Sequence, residues 1–379
     1  MTSATATLLE AAPARRSAAL RARLAEFAAV GGATLVLFPL SWLLRRVVGL
    51  DSAELAVSFT MFYAAHLIND PHFAVTYLLF YKDAKKRALG DAFTPAQRIR
   101  YLVAGFFVPL ALITWAAIAL TNGSPKTMGW MIQLMFFLVG WHYVKQGFGV
   151  LAVLSARRGV RFSPVERAVV LIHCFTGWAY AWASPFDPGR TVQEKGVVYT
   201  SLRHPAGLER ASQIVFFLSA VPVVWVLARK WRRERRLPPL APLAGLLVTV
   251  WLWTVYSGVD PLMIYVIPAL HSIQYLYFVW LLKRNEAKAH EGPPWFGQPA
   301  VVKVGFTAVY ALGLGWLLFH GAPTFLDDVL AAPAKRHAVG PLGPTPWFAA
   351  LFVFVNIHHY FMDHVIWRRD NPETRHLVG

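Results

Sequence analysis

Apolar residues run along this chain in blocks of about twenty, the length that carries an α-helix across the hydrocarbon of a bilayer. Short polar or Pro/Gly-rich breaks separate the blocks. They predict ten helical spans, roughly at 28–44, 55–81, 99–121, 127–154, 165–183, 212–230, 240–257, 260–282, 299–319 and 346–367. The second and fourth are longer than one crossing needs, which implies tilt or protrusion. The expected fold class is all-α, a polytopic transmembrane helix bundle. A cytoplasmic tail over 1–27, with a short amphipathic helix, precedes a single transmembrane domain over 28–367, and a second cytoplasmic tail occupies 368–379.

Charge then orients the bundle. Cytoplasmic connections collect Lys and Arg. The connection after the second span carries Lys82, Lys85, Lys86, Arg87, Arg98 and Arg100, and the one after the fourth carries Arg157, Arg158 and Arg161. Arg229 to Arg236 follow the sixth span, Lys283, Arg284 and Lys288 the eighth, and Arg368, Arg369 and Arg375 the tenth. Arg45 and Arg46, after the first span, break the pattern. The alternation predicts both termini in the cytoplasm, with the longer outer connections 184–211 and 320–344 over the outer mouth. It also accounts for the formal net charge of +17, so no nucleic-acid partner is called for. The partners expected are the lipid bilayer and its anionic inner leaflet. The Ala- and Arg-rich style suggests a bacterial inner membrane.

Only 15% of the residues are Asp, Glu, Lys or Arg, against roughly a quarter in soluble domains, so the polar residues inside the blocks stand out. Of thirteen histidines, eight fall within predicted spans: His66, His72, His142, His173, His271, His358, His359 and His364. Seven of these lie on spans two, four, eight and ten, which all run from outside to inside. His72, His271 and His358 each precede an aromatic residue by nine positions, with a basic residue close behind. Nine helical residues rise about 13 Å, so three helices place a His at one depth below the inner interface, and His142 falls near the same level. Ionisable side chains within hydrocarbon face the bundle interior or a cavity.

The spacings suggest ligand supports. Positions i and i+4 share a helix face, which pairs His66 with Asp70, His142 with Gln146, and His359 with Asp363. Gln274 follows His271 by three residues, and Asn356 precedes His359 by three. A carboxylate or amide beside an imidazole fixes the tautomer a metal needs. His72, His142, His271, His358 and His359 are the expected metal ligands, with His66 and His364 as further ones. Asp70, Asp363, Gln146, Gln274 and Asn356 are expected to orient them or complete the shell. His358 and His359 stand about 100° apart on a regular helix, so they serve two ions, or one supports the other. Pro71 loosens the second span, which would let His66 and His72 converge. Lys145, Gln146 and Tyr143 are candidate catalytic groups beside His142, and Tyr63, Tyr275, Tyr277 and Tyr360 candidate pocket walls. His173 reads as an interhelical hydrogen-bonder. His204, His290, His337 and His376 read as surface residues, and His320 as interfacial.

Histidine and carboxylate donors without thiolate suit non-haem iron, zinc or copper. Several histidines on several helices near the cytosolic face resemble the histidine-box membrane metalloenzymes: fatty-acid desaturases, alkane and sterol hydroxylases, and carotenoid-cleaving oxygenases. The HxxxH and HxxHH boxes of those enzymes are absent; here the spacings are HxxxxxH at His66–His72 and HHxxxxH at His358–His364. No reaction is carried over from that resemblance; a site half-way into the bilayer is reached by apolar molecules and by O2, so the expected function is a metal-dependent oxidoreductase with one or two non-haem iron ions, a lipid-like substrate and an electron-donor protein on the cytoplasmic side. Three other readings fit a membrane His cluster: axial ligation of haem, a His/Asp relay in a proton- or ion-coupled transporter, and a zinc-dependent hydrolase or transferase. A single cysteine, Cys174, excludes an intrachain disulfide or a thiolate cluster. No phosphate-binding glycine loop or serine nucleophile motif appears.

Overall fold

Helices form where the apolar blocks lie. In the computed structural model, residues 17–184, 189–294, 296–330 and 341–378 are described. α1 (Ser17–Gly32) and α2 (Thr34–Val48) meet at a 61° bend. Gly31 takes φ +126° in that bend and faces Val248, a conformation and an approach that suit glycine. Next come α3 (Leu50–Ala65), α4 (Asn69–Tyr81) and the short α5 (Ala84–Leu89). α6 (Pro95–Thr121), α7 (Pro125–Arg157), α8 (Pro164–Ala183) and α9 (Leu208–Glu234) follow. α10 (Leu240–Val255), α11 (Met263–Lys288), α12 (Ala300–Leu330), α13 (Pro346–Ile366) and the terminal turn α14 (Arg375–Val378) complete the order. Between α8 and α9, β1 (Thr191–Glu194) and β2 (Val197–Thr200) form an antiparallel hairpin with Thr191 opposite Thr200. Thr94, Ser124 and Ser163 cap α6, α7 and α8, each followed by proline in the first turn.

The chain is a membrane protein by the apolar length and exposure of its helices. α6, α7, α9, α11 and α12 are long and apolar enough to cross a bilayer, and α1 with α2 makes a sixth if the bent pair counts as one span. Every predicted block is helical, but not every helix meets that standard. The second block is broken at His66–Ile68 into α3 and α4, and α10 is too short on its own. α8 and α13 are long enough but carry Glu166 and Arg167, and Asn356, His358, His359, Asp363 and His364, respectively. On α9, Leu218, Val221 and Val224 are each about two-thirds exposed, as is Val309 on α12. Apolar faces of that extent are rare on water-facing proteins.

α7 and α11 form the middle of the bundle: 39% and 56% of their most apolar windows are buried, against 11% for α12 and 17% for α6 and α9. α4 is buried along most of its length, from Asp70 to Thr76 and again at Leu79 and Phe80. Polar contacts tie one end of the bundle together. Lys82, just after α4, pairs with Glu286 of α11 at 2.7 Å, and Arg87 with Glu373 beyond α13 at 2.5 Å. Arg157, ending α7, donates to the Leu377 carbonyl, and Asn285 of α11 to that of His376. The C-terminal ends of α4, α7, α11 and α13 therefore gather on one side, so these four helices run in the same direction. Of the N-terminal residues read as a tail, 1–16, including Arg15 and Arg16, lie outside the described residues, as does His337.

Candidate metal centre

Each of the four co-directional helices contributes one imidazole to a common buried point. His72 comes from α4, His142 from α7, His271 from α11 and His359 from α13, and all four are buried. His142 Nε2 and His271 Nε2 lie 3.0 Å apart. Ring centroids of His72 and His359 are 4.5 Å apart, of His142 and His359 4.9 Å, and of His72 and His271 5.2 Å. One ligand nitrogen from each of His72, His142 and His359 lies within 4.8 Å of the other two. Two ligands on opposite sides of an ion at about 2.1 Å per bond stand about 4.2 Å apart, and adjacent ones about 3.0–3.4 Å. His142 and His271 already stand at the separation of adjacent ligands, and the other nitrogens are near the separation of opposite ones.

The polar atoms around the group test the same point. His72 Nδ1 meets Ser272 Oγ at 3.1 Å, and Ser272 donates to Asn69 Oδ1 at 2.9 Å. That contact leaves His72 Nε2 buried without a partner; His271 Nδ1 and both nitrogens of His359 are also unpartnered. Asp363 lies one helical turn beyond His359, with Oδ2 at 3.4 Å from His359 Nε2 and 3.7 Å from His142 Nδ1. Its other oxygen accepts from Tyr275 Oη at 2.7 Å, and Tyr275 Oη meets Thr76 Oγ1 at 2.6 Å. Tyr143 stacks on His271 with centroids 4.2 Å apart, and Tyr360 lies 4.8 Å from the His142 ring. A buried, thiolate-free set of imidazoles with a carboxylate at its edge can hold a metal ion. Ser272 and Thr76 were missed by sequence reasoning; Thr76 stands at i+4 from His72, which was the available signal.

Three of the expected ligands lie elsewhere. His358 faces away from the group: its Nδ1 meets Tyr77 Oη at 3.0 Å and its Nε2 the Ala104 carbonyl at 3.0 Å. A carbonyl accepts only, so Nε2 carries the proton and Tyr77 donates to Nδ1. No lone pair remains for a metal. His364 Nδ1 is hydrogen-bonded by Lys145 Nζ, and both side chains pack on Trp141. His66 does not converge with His72, because the break at His66–Ile68 turns it away. Pro71 sits in the first turn of α4, where its missing N–H breaks no ladder bond. His66 instead stacks on His320 with centroids 4.1 Å apart, and His320 Nε2 meets Asp70 Oδ2 at 2.9 Å. These three form a second group whose ligand atoms lie within 4.8 Å of one another. His320 was expected at the interface; it lies in a π-helical turn, Leu317–Gly321, that changes its direction. Gly315 lets α12 approach this closely, since a Cβ there would sit 2.7 Å from the Asp70 carbonyl carbon.

The amides also differ from their expected roles. Gln146 does not hydrogen-bond His142; it donates to Gln274 Oε1 at 2.7 Å and to the His271 carbonyl at 3.2 Å. Gln274 donates to the Val30 carbonyl at 2.6 Å and so links α11 to the bend of α1. Asn356 accepts from Tyr360 and donates to the Phe352 carbonyl, away from His359. His173 bonds Ser219 between α8 and α9, as expected for an interhelical polar contact.

A cavity of about 730 Å³ leads to the group, with His142, Asp363, Tyr275 and Tyr360 at its deep end. Phe148, Val150, Val153 and Phe278 line its middle, and Arg161, Arg167, Arg368 and Arg369 its other end. Lys145, Gln146 and His364 form part of the wall. No protein-family model, curated protein or solved structure matches the chain.

Proposed function

We propose that the protein is an integral-membrane, metal-dependent oxidoreductase acting on a lipid-like substrate at the four-histidine centre. The observation that carries this reading is the meeting of His72, His142 and His359, whose ligand nitrogens lie within 4.8 Å of one another, with His72 Nε2 and both nitrogens of His359 buried and unpartnered. Each costs about 1–3 kcal/mol if nothing occupies it. A metal ion is the one partner that uses several converging lone pairs at once. Non-haem iron suits the donors best, with zinc and copper as alternatives. Haem is disfavoured, because the four rings pack against one another without a slot for a planar macrocycle. Iron in this setting supplies O2 binding and activation.

The chain's own residues supply the rest. Asp363 accepts a hydrogen bond from Tyr275 and stands 3.4 Å from His359 Nε2 and 3.7 Å from His142 Nδ1, where its carboxylate would balance the charge of an ion held by these rings. The contacts joining Thr76, Tyr275 and Asp363 can hold a proton beside the deep end of the cavity. The apolar middle of the cavity keeps water from the centre and admits an alkyl chain. Ten crossings with both termini cytoplasmic fit the gathered basic ends, which would also receive an electron-donor protein. A bacterial inner membrane fits this arrangement. The same Thr76–Tyr275–Asp363 chain favours a second reading, a proton relay in a transporter.

Elemental analysis and absorption spectra of detergent-purified protein separate these readings. The expected result is one or two equivalents of iron with no Soret band, and metal content that falls in H72A, H142A and H359A. A protein that holds no transition metal as purified, and takes none when reconstituted with Fe(II) or Zn(II), would leave only the relay.

A further inference from the structure

The charge on the cavity wall is one-sided. Five cationic side chains line it, Lys145, Arg161, Arg167, Arg368 and Arg369, against one carboxylate, Asp363, at the deep end. Arg368 is paired with Asp370, and Lys145 with His364. Arg161, Arg167 and Arg369 have no ion pair among the described residues. They arrive from three places in the chain: the α7–α8 connection, the first turn of α8, and the segment after α13. Guanidinium groups bind carboxylate and phosphate through paired N–H donors. Positive-inside topology accounts for arginine at this end of the bundle. It does not account for three such groups converging on a cavity that ends at His142.

The cavity's length matches its charge. Its lining follows α7 from Ala156 to His142, fourteen residues, or about 21 Å of helix rise. One leaflet of hydrocarbon is about 15 Å deep. An alkyl chain anchored at the arginine end therefore reaches His142, and the cavity's volume is typical of sites for ligands of that size. We propose that the substrate is an amphiphile with an anionic head, carboxylate or phosphate, held by Arg161, Arg167 and Arg369. Its alkyl chain runs along α7 so that its far portion lies against His142 and Asp363. This names the substrate class and rests on the reading of the four-histidine centre as the reactive site. Of the four histidines only His142 lines the cavity, beside Asp363, so the chain approaches from that side.

The test uses the full-length protein in phosphatidylcholine nanodiscs, with and without a chelator. Dibrominated stearate serves as the probe, and quenching of tryptophan fluorescence reports its binding. Trp141 and Trp367 line the cavity, so W141F/W367F should remove most of the quenching. The methyl ester of the probe, which lacks the charge, should bind about tenfold more weakly or worse, and R161Q/R167Q/R369Q should weaken the acid by a similar factor. A brominated lysophosphatidate tighter than the stearate assigns the head as phosphate; the reverse order assigns carboxylate. Displacement of the probe by millimolar inorganic phosphate alone would make this a free-anion site and overturn the proposal. Equal binding of acid and ester, or of wild type and the arginine variant, would overturn it as well. Charge-selective binding that persists in protein holding no metal keeps this inference and removes the metalloenzyme. Metal loading with equal acid and ester binding does the opposite.

Discussion

His359→Leu should stabilise the metal-free protein and abolish its stabilisation by metal. Both ring nitrogens of His359 are buried without a partner, and the side chain is fully inaccessible. At about 1–3 kcal/mol for each unsatisfied buried group, the imidazole costs the empty centre about 2–6 kcal/mol. Leucine is close in volume and removes both groups, at a shape penalty of up to about 1.5 kcal/mol. The net gain without metal is about 0.5–6 kcal/mol. With metal the order inverts. Free ion at a thousandfold excess over its dissociation constant adds about 4 kcal/mol to the wild type, and the variant has lost a ligand. Thermal unfolding in detergent, with chelator and with Fe(II) or Zn(II), measures both halves of the cycle. A variant less stable than wild type in chelator, with the same response to metal as wild type, would refute the assignment of His359 as an unsatisfied ligand.

His358→Phe should leave metal stoichiometry unchanged in elemental analysis, since both nitrogens of His358 are already engaged by Tyr77 and Ala104; a loss matching that of H359A would move the centre. Gly315→Ala should lower stability by about 1–3 kcal/mol through overpacking on the Asp70 backbone. Gly313→Ala, with nothing within 4 Å of the added carbon, should gain up to about 1 kcal/mol in helix propensity; thermal unfolding of the pair checks the close approach of α12 to α4. Arg87→Ala should cost about 2–4 kcal/mol, because Arg87 is buried, caps the Leu79 and Phe80 carbonyls at the end of α4 and pairs with Glu373. Chemical denaturation in detergent gives that value, and a loss below about 0.5 kcal/mol, the usual size for an exposed pair, would show the contact idle.

The meeting of His72, His142, His271 and His359 was legible because ionisable residues are rare inside apolar blocks. His72, His142 and His271 stand at similar distances from basic helix ends, and these are residues the fold brings together. Helix rotation was not legible. His358 and His359 differ by one residue and by about 100°; only contact with Tyr77 and the Ala104 carbonyl shows which of the two turns inward. The second group, His66 with Asp70 and His320, was hidden by two backbone irregularities. The break after Ala65 ends the regular geometry on which the spacing of His66 and His72 was read, and the π-helical turn at Leu317–Gly321 redirects His320. The amides misled for a different reason. Gln146 and Gln274 share helices with His142 and His271, but each bonds groups on neighbouring helices, and those cross-helix partners leave no trace in local spacing.

The contacts made by the segment after α13 bear on when the centre can form during synthesis. Glu373, His376 and Leu377 reach Arg87, Asn285 and Arg157, which stand at or just beyond the ends of α4, α11 and α7. Thr374 and Leu377 also form part of the cavity wall. His72, His142 and His271 leave the ribosome well before His359 and the residues that buckle the four helices together. Until those arrive, the three imidazoles stand on helices joined only by contacts such as Lys82–Glu286 and Gln146–Gln274. A metal taken up at this centre would therefore enter late in the life of the chain, following the last helix rather than templating the first ones. A nascent chain halted before α13 should be unable to retain the ion.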